Sequence, residues 1–304
     1  MWQAAQTIFL SIVLESLPFI LFGVLLSSLI QELVPQERML RLIPKNGILA
    51  VIVSSLFGLV LPVCDCGTIP VARSLIKKGV PTSVALSFTL SAPVVNPLSM
   101  FATYVAFGMQ SSMMWLRVTT TFVISVVIGW TLLSFEQKKS ERPRMRGFEL
   151  PLAEIATTRL APRRRSVSQI LSSVIGHAIL EFFEVGGFVV VSAAVAALLQ
   201  TWVPASVLSP IGKHPIGSVI GMMVLAILLS LCSEADAFVA RSLAGLTTSG
   251  GVLGFLVIGQ MIDMRNLFLL PSVFPRRIVV ITFFLAMILT LCGGILINHI
   301  GLNI

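Results

Sequence analysis

Two polar clusters lie inside hydrophobic sequence, and both are built from groups that bind cations, exchange protons or form sulfur bonds. The first is Cys64-Asp65-Cys66-Gly67, followed by Val71-Ala72-Arg73-Ser74-Leu75. The second is Cys232-Ser233-Glu234-Ala235-Asp236, followed by Val239-Ala240-Arg241-Ser242-Leu243. The cysteines Cys64 and Cys232, and the Val-Ala-Arg-Ser-Leu strings, are each 168 residues apart. A charge within a membrane segment costs several kcal/mol, so such clusters read first as functional sites. At matching positions of a duplicated chain, they point to a transport site at the repeat interface.

Two thiols and a carboxylate within three residues suit a soft cation or a thiophilic metalloid, with Cys64 and Cys66 as the candidate ligands. They also suit a redox pair. The structural alternative is that the cysteines pack as small apolar groups, which is the reading for isolated Cys292. No third or fourth thiol lies nearby, which argues against a closed structural zinc site. Glu234 and Asp236 are the acidic counterpart and are candidates for proton or ion coupling. The structural alternative for them is capping of the following helix, because acids favour a helix N-terminus.

Further candidates lie in two broken apolar runs. Pro93, Asn96 and Pro97 interrupt the run 81–109, and Gly259, Gln260 and Asp263 occupy the partner positions of 249–271. Proline breaks a helix and frees carbonyls, and broken helices aim such groups at substrates or ions. An ordinary kink is the alternative. Glu15 and Glu184 are equivalent acids within the first span of each half. With Glu181 they read as proton relays, or as partners of Arg73, Arg241 or His177.

These residues need a scaffold, and composition describes it. Apolar residues make up 56% of the 304 residues and charged residues 11%, with a mean hydropathy of +0.98. A soluble domain is nearer a quarter charged, so this is a polytopic membrane protein. The net charge of +8 does not indicate nucleic acid, because nine of the 21 Lys and Arg fall between Lys138 and Arg165. Such a loop is expected in the cytoplasm. The apolar run from Ala4 to Leu33 is too long for a cleavable signal peptide and lacks a charged start.

The duplication extends past the clusters. Glu15, Gln31 and Pro35 match Glu184, Gln200 and Pro204 at a shift of 169, and Phe88 and Asn96 match Phe255 and Asp263 at 167. This divides the chain into a first membrane repeat (1–135), a basic cytoplasmic linker (136–166) and a second membrane repeat (167–304). Each half has four hydrophobic stretches. Those at 47–63 and 216–232 are shorter than the roughly 20 residues of a full span. If they and the segments after them are re-entrant hairpins, 18 Lys and Arg fall on the linker's side and three on the other. If all eight stretches cross, the split is 13 to eight. The positive-inside rule favours the hairpins. Three full spans per half then make the repeats inverted, with both termini outside and the hairpin tips meeting near the midplane. The expected fold is therefore all-α and polytopic, with two inverted repeats of three spans plus one hairpin.

The strings Pro62-Val63-Cys64-Asp65-Cys66-Gly67-Thr68-Ile69-Pro70 and Ala92-Pro93-Val94-Val95-Asn96-Pro97 resemble a bacterial predicted-permease family that includes the organoarsenical efflux permeases. Leu231-Cys232-Ser233-Glu234-Ala235-Asp236 is similar to that family's second signature. The resemblance covers nearly the whole chain and implies a multi-spanning transporter of the bacterial inner membrane. The expected function is secondary-active transport of a small molecule or ion, with a thiophilic metalloid or organoarsenical as one substrate class. The substrate would bind among Cys64, Asp65, Cys66, Gly67, Pro93, Asn96, Cys232, Gln260 and Asp263. Coupling would fall to Glu234, Asp236, Glu15 and Glu184. No cofactor or enzymatic activity is expected, and no phosphate-binding Gly-rich loop occurs. Membrane lipid is an expected partner, and homo-oligomerisation is compatible with the sequence. The rival readings are a membrane thiol-disulfide oxidoreductase using Cys64 and Cys66, for which a second cysteine pair is lacking, and a channel.

Overall fold

The computed structural model describes residues 2–33, 44, 46–59, 65–109, 111–138 and 214–300, with residues 172, 174–180, 182–183, 186–187, 190–191, 193–194 and 197. All regular structure among the described residues is helical. In chain order the helices are α1 (Trp2–Leu33), α2 (Gly47–Leu56), α3 (Asp65–Lys77), α4 (Thr82–Ser91), α5 (Pro97–Ala106), α6 (Ser111–Lys138), α7 (Pro215–Leu229), α8 (Ala235–Leu243), α9 (Ser249–Met261), α10 (Met264–Val273) and α11 (Arg276–Ile300).

Helix lengths follow the punctuation in the sequence. Among the described residues three segments are long and apolar enough to cross a membrane: Ser111–Phe135, Ser249–Val273 and Arg276–Ile300. The 15 residues of α7 rise only about 22 Å, less than the roughly 30 Å of a hydrocarbon core. The 10 residues of α2 rise less still. α7 ends three residues before Cys232 and α2 eight before Cys64, and a second short helix, α8 or α3, begins within each cluster.

The two expected breaks are present. α4 stops at Ser91, and Asn96 takes an extended conformation as N-cap of α5. Pro97 then opens α5, where its missing N–H leaves no bond unmade. In the second half α9 stops at Met261, and extended Asp263 caps α10. Asn96 and Asp263, paired by the repeat shift, thus occupy the same backbone role.

The core forms around α4 and α9. Every residue of α4 is buried, and α9 is buried from Gly250 to Met261. Both are apolar or small on every face, as a helix enclosed on all sides must be. α4 packs between α2 and α6, α9 packs between α7 and α11, and α4 touches α9. Glycine permits the closest approach. A Cβ on Gly250 would collide with the carbonyl of Gly294 on α11 and with Asn298 Oδ1. Contacts across the halves are reciprocal: α3 of the first lies on α10 of the second, and α8 of the second lies on α5 of the first.

The periphery is apolar and uncovered. Leu14 on α1 is 65% exposed, Trp130 on α6 53% and Phe284 on α11 60%. A water-facing surface of this kind would be an aggregation liability, so these faces belong in lipid. The chain is a multi-pass membrane protein.

Candidate functional site

The second cysteine cluster begins with a turn that few residues adopt. Ser230 ends α7 in the left-handed region, at φ 47° and ψ 48°. A non-glycine residue there costs about 1–2 kcal/mol. The conformation turns the chain away from α7, and Ser230 Oγ accepts the backbone N–H of Met264 at 3.1 Å. That N–H starts α10 and has no partner within its own helix. The turn that leads into the cluster is therefore tied to the break between α9 and α10.

Two buried arginines hold the tip by its carbonyls. Arg265 donates from Nη2 to the carbonyl of Leu231 at 2.8 Å and from Nε to Asp263 Oδ2 at 2.9 Å. Arg117, on α6 of the other half, donates to the carbonyl of Ser233 from Nη1 at 3.3 Å and Nη2 at 3.2 Å. Nη2 also meets both oxygens of Asp236, Oδ1 at 3.0 Å and Oδ2 at 2.8 Å. Nη1 completes its set with Thr103 Oγ1 at 2.7 Å. Gln260 Nε2 donates to Asp236 Oδ2 at 2.6 Å. α5, α6, α8 and α9 thus converge on one charge pair, and that pair joins the two halves of the chain.

These arginines correct the sequence expectation. Arg117 is one of the three charges on the side away from the linker and Arg265 one of the 18 on its side, yet they are 1% and 4% exposed. Neither belongs in a surface tally, which leaves 17 charges against two for the hairpin topology. The sequence did hold a signal for Arg117. A cation six residues into an apolar helix needs a buried carboxylate, and Asp236 is the one it reaches. Capping by the two acids is also corrected. Glu234, the N-cap of α8, makes no side-chain cap bond. It accepts from Cys232 Sγ at 2.8 Å instead, and Asp236 turns to Arg117 and Gln260.

The other candidates divide by what their side chains do. Asn96 is engaged by its own break: Oδ1 accepts from Ser99 N at 2.8 Å, and Nδ2 donates to the carbonyls of Pro93 and Ala92 at 2.8 and 3.2 Å. Asp263 is engaged likewise, with Oδ1 accepting from Asn266 N at 2.6 Å and Oδ2 facing Arg265. Gly67 is buried in the first turn of α3. Cys64, Glu181 and Glu184 lie outside the described residues, as do the side chains of Glu15, Asp65 and Cys66. Among the described residues no cluster of three or more His, Cys, Asp or Glu is arranged to hold a metal.

Several groups at the site lack partners. Arg117 Nε, Ser233 Oγ, Gln260 Oε1, Ser99 Oγ and Thr121 Oγ1 are buried without a hydrogen bond. Each unmade bond costs about 1–3 kcal/mol. A native protein keeps few such groups.

The comparisons with known proteins agree with a membrane carrier. The sequence model of ArsP_1, a predicted permease, matches residues 1–299. UPF0718 protein YcgR of Bacillus subtilis is 38% identical over 295 residues, covering 96% of each chain. A Streptococcus mutans protein, provisionally named a two-component membrane permease complex subunit, is 33% identical over 278 residues, covering 90% of this chain and 87% of its own. UPF0718 protein YraQ of Escherichia coli is 32% identical over 99 residues, 33% of this chain and 29% of its own. No solved structure matches the chain.

Proposed function

The chain belongs to the ArsP_1 family of predicted permeases, and from that premise we propose that it is a secondary-active permease of the bacterial inner membrane. It carries a small solute through a site between its halves, at the tip Cys232–Asp236. The observation that carries this reading is the Arg117–Asp236 pair. It is buried at 2.8 Å, joins helices of the two halves, and is bonded to Ser233 and Gln260, each of which keeps an unpartnered side-chain oxygen. A charge pair in a membrane core costs desolvation that well-packed apolar side chains would avoid. At the junction of two repeats, its retention is accounted for by transport.

In this reading 47–79 and 216–247 are re-entrant hairpins, and an in-plane pseudo-two-fold relates the halves. The reciprocal packing of α3 on α10 and α8 on α5 supports the two-fold. Three spans per half, the count this topology requires, would give it an in-plane direction. The tip Cys64-Asp65-Cys66-Gly67 would face Cys232–Asp236 across the axis. Its thiols give affinity for a thiophilic metalloid or organoarsenical, the first class to test. Gln260 and Asp236 contact the solute, Asp263 and Asn96 with Pro93 hold the two breaks, and Glu234, Asp236, Glu15 and Glu184 carry coupling protons. The name of the streptococcal relative supports a second component as partner. Thiol-disulfide exchange gains no support from the described cysteines: Cys232 is buried against Glu234, and Cys292 is exposed on α11.

The test is uptake into proteoliposomes against thiophilic, anionic and neutral solutes. Saturable uptake that is lost in Gln260→Ala supports the reading. Uptake of none of the solutes, by protein shown to be folded, contradicts it.

A further inference from the structure

The buried hydroxyls beside Arg117 have no work in the fold. Thr103 and Ser99 are one turn apart on α5, and Arg117 and Thr121 are one turn apart on α6. Residues four apart share a helix face. The Arg117–Thr103 bond brings those two faces together. Ser99 and Thr121 therefore occupy the next turn of the same interface. Ser99, Thr121 and Ser233 are 0% exposed and Gln260 1%, and each has an unpartnered oxygen. Arg117 Nε is an unpartnered N–H donor among them.

The chemistry of this set selects a ligand. With Asp236 ionised, Arg117 and Asp236 neutralise each other, so the site in that state carries no net charge from the pair. Glu234, half-buried on the same tip, opposes an anion. The unfilled N–H of Arg117 Nε bonds to an acceptor and cannot ligate a bare cation. What remains unfilled is one fixed donor, one fixed acceptor (Gln260 Oε1) and three hydroxyls that serve as either. We propose that this cluster binds a neutral solute bearing hydroxyl groups, each of which donates one bond and accepts others. This deepens the transport reading, because it assigns a substrate class to the same site. It also rests on that reading.

Binding and transport are measured separately, so that one can fail without the other. The full chain in lipid nanodiscs is titrated with ethylene glycol, erythritol and undissociated boric acid, and with sulfate and tetramethylammonium as charged probes. The proposal expects saturable binding of at least one neutral probe, uncontested by the charged ones. Ser99→Ala with Thr121→Val should weaken that binding at least tenfold. The same change should leave the melting temperature unchanged or raised, because it removes unsatisfied buried groups. Thr121→Ser, which keeps a hydroxyl, should retain binding. Absence of saturable binding by every neutral probe overturns the proposal and leaves water alone as the occupant. Preferential binding of sulfate or tetramethylammonium also overturns it, as does wild-type affinity in the double variant. If a neutral probe binds but is not moved across a vesicle membrane, the transport reading falls and the binding site stands.

Discussion

Arg117 and Asp236 stand 119 positions apart in sequence and 2.8 Å apart in space, each almost wholly buried. One comes from α6 in the first half of the chain, the other from the first turn of α8 in the second. Removing one partner leaves an uncompensated buried charge, which costs about 3–5 kcal/mol. Arg117→Met and Asp236→Leu should each destabilise by that order. The double variant Arg117→Met with Asp236→Leu should recover most of the loss. Thermal unfolding of the purified variants gives the coupling energy, and additive single losses would mean that the pair does not interact.

The caps at the two breaks should differ in weight. Asn96→Ala loses a helix cap, worth about 1 kcal/mol. Asp263→Ala loses a cap and also strips Arg265 of its carboxylate. Its penalty should be larger by about 1–3 kcal/mol. Denaturation of both variants under one condition checks the order.

Close backbone packing of α9 on α11 predicts intolerance at Gly250. Gly250→Ala places a methyl against the Gly294 carbonyl and Asn298 Oδ1. It should also disturb the bond from Gly250 N to Asn298 Oδ1 at 2.8 Å. Overpacking of this kind costs about 1–3 kcal/mol. The equivalent change at Gly176, which has nothing within 4 Å, should be nearly silent at that contact. Melting temperatures of the two variants separate these expectations.

Topology is open to direct labelling. Gly245 follows α8, and Arg277 lies in the first turn of α11; both are exposed. With re-entrant hairpins, Gly245→Cys reacts with a membrane-impermeant maleimide from outside the cell and Arg277→Cys does not. If all eight stretches cross, the pattern reverses.

Much of this arrangement was legible in the sequence, because it depends on local chemistry. Proline and asparagine at 93–97 announce a break, and the repeat shift transfers that break to Asp263. The short stretches before Cys64 and Cys232 announce helices too short to span. Gln260 was legible through its place beside that second break. For Arg117 only the need of a carboxylate was legible, since a count of charges assigns each to water until a partner is known. Its partner lies on a helix of the other half, and no local pattern fixes which faces meet. Ser99, Thr121 and Ser233 were invisible for a related reason. A serine in a membrane helix ordinarily bonds to its own backbone, and only the packed structure reveals which hydroxyls do not.

The central claim is that the Arg117–Asp236 junction is the transport site, and the direct measurement is solute counterflow in proteoliposomes comparing wild type with Gln260→Ala. Gln260 touches Asp236 through one hydrogen bond and leaves its oxygen unpartnered. Its truncation should therefore cost at most a few kcal/mol of stability. The account predicts that folded Gln260→Ala protein loses saturable counterflow at least tenfold. Counterflow equal to wild type in that protein would contradict the account and move the site elsewhere in the chain.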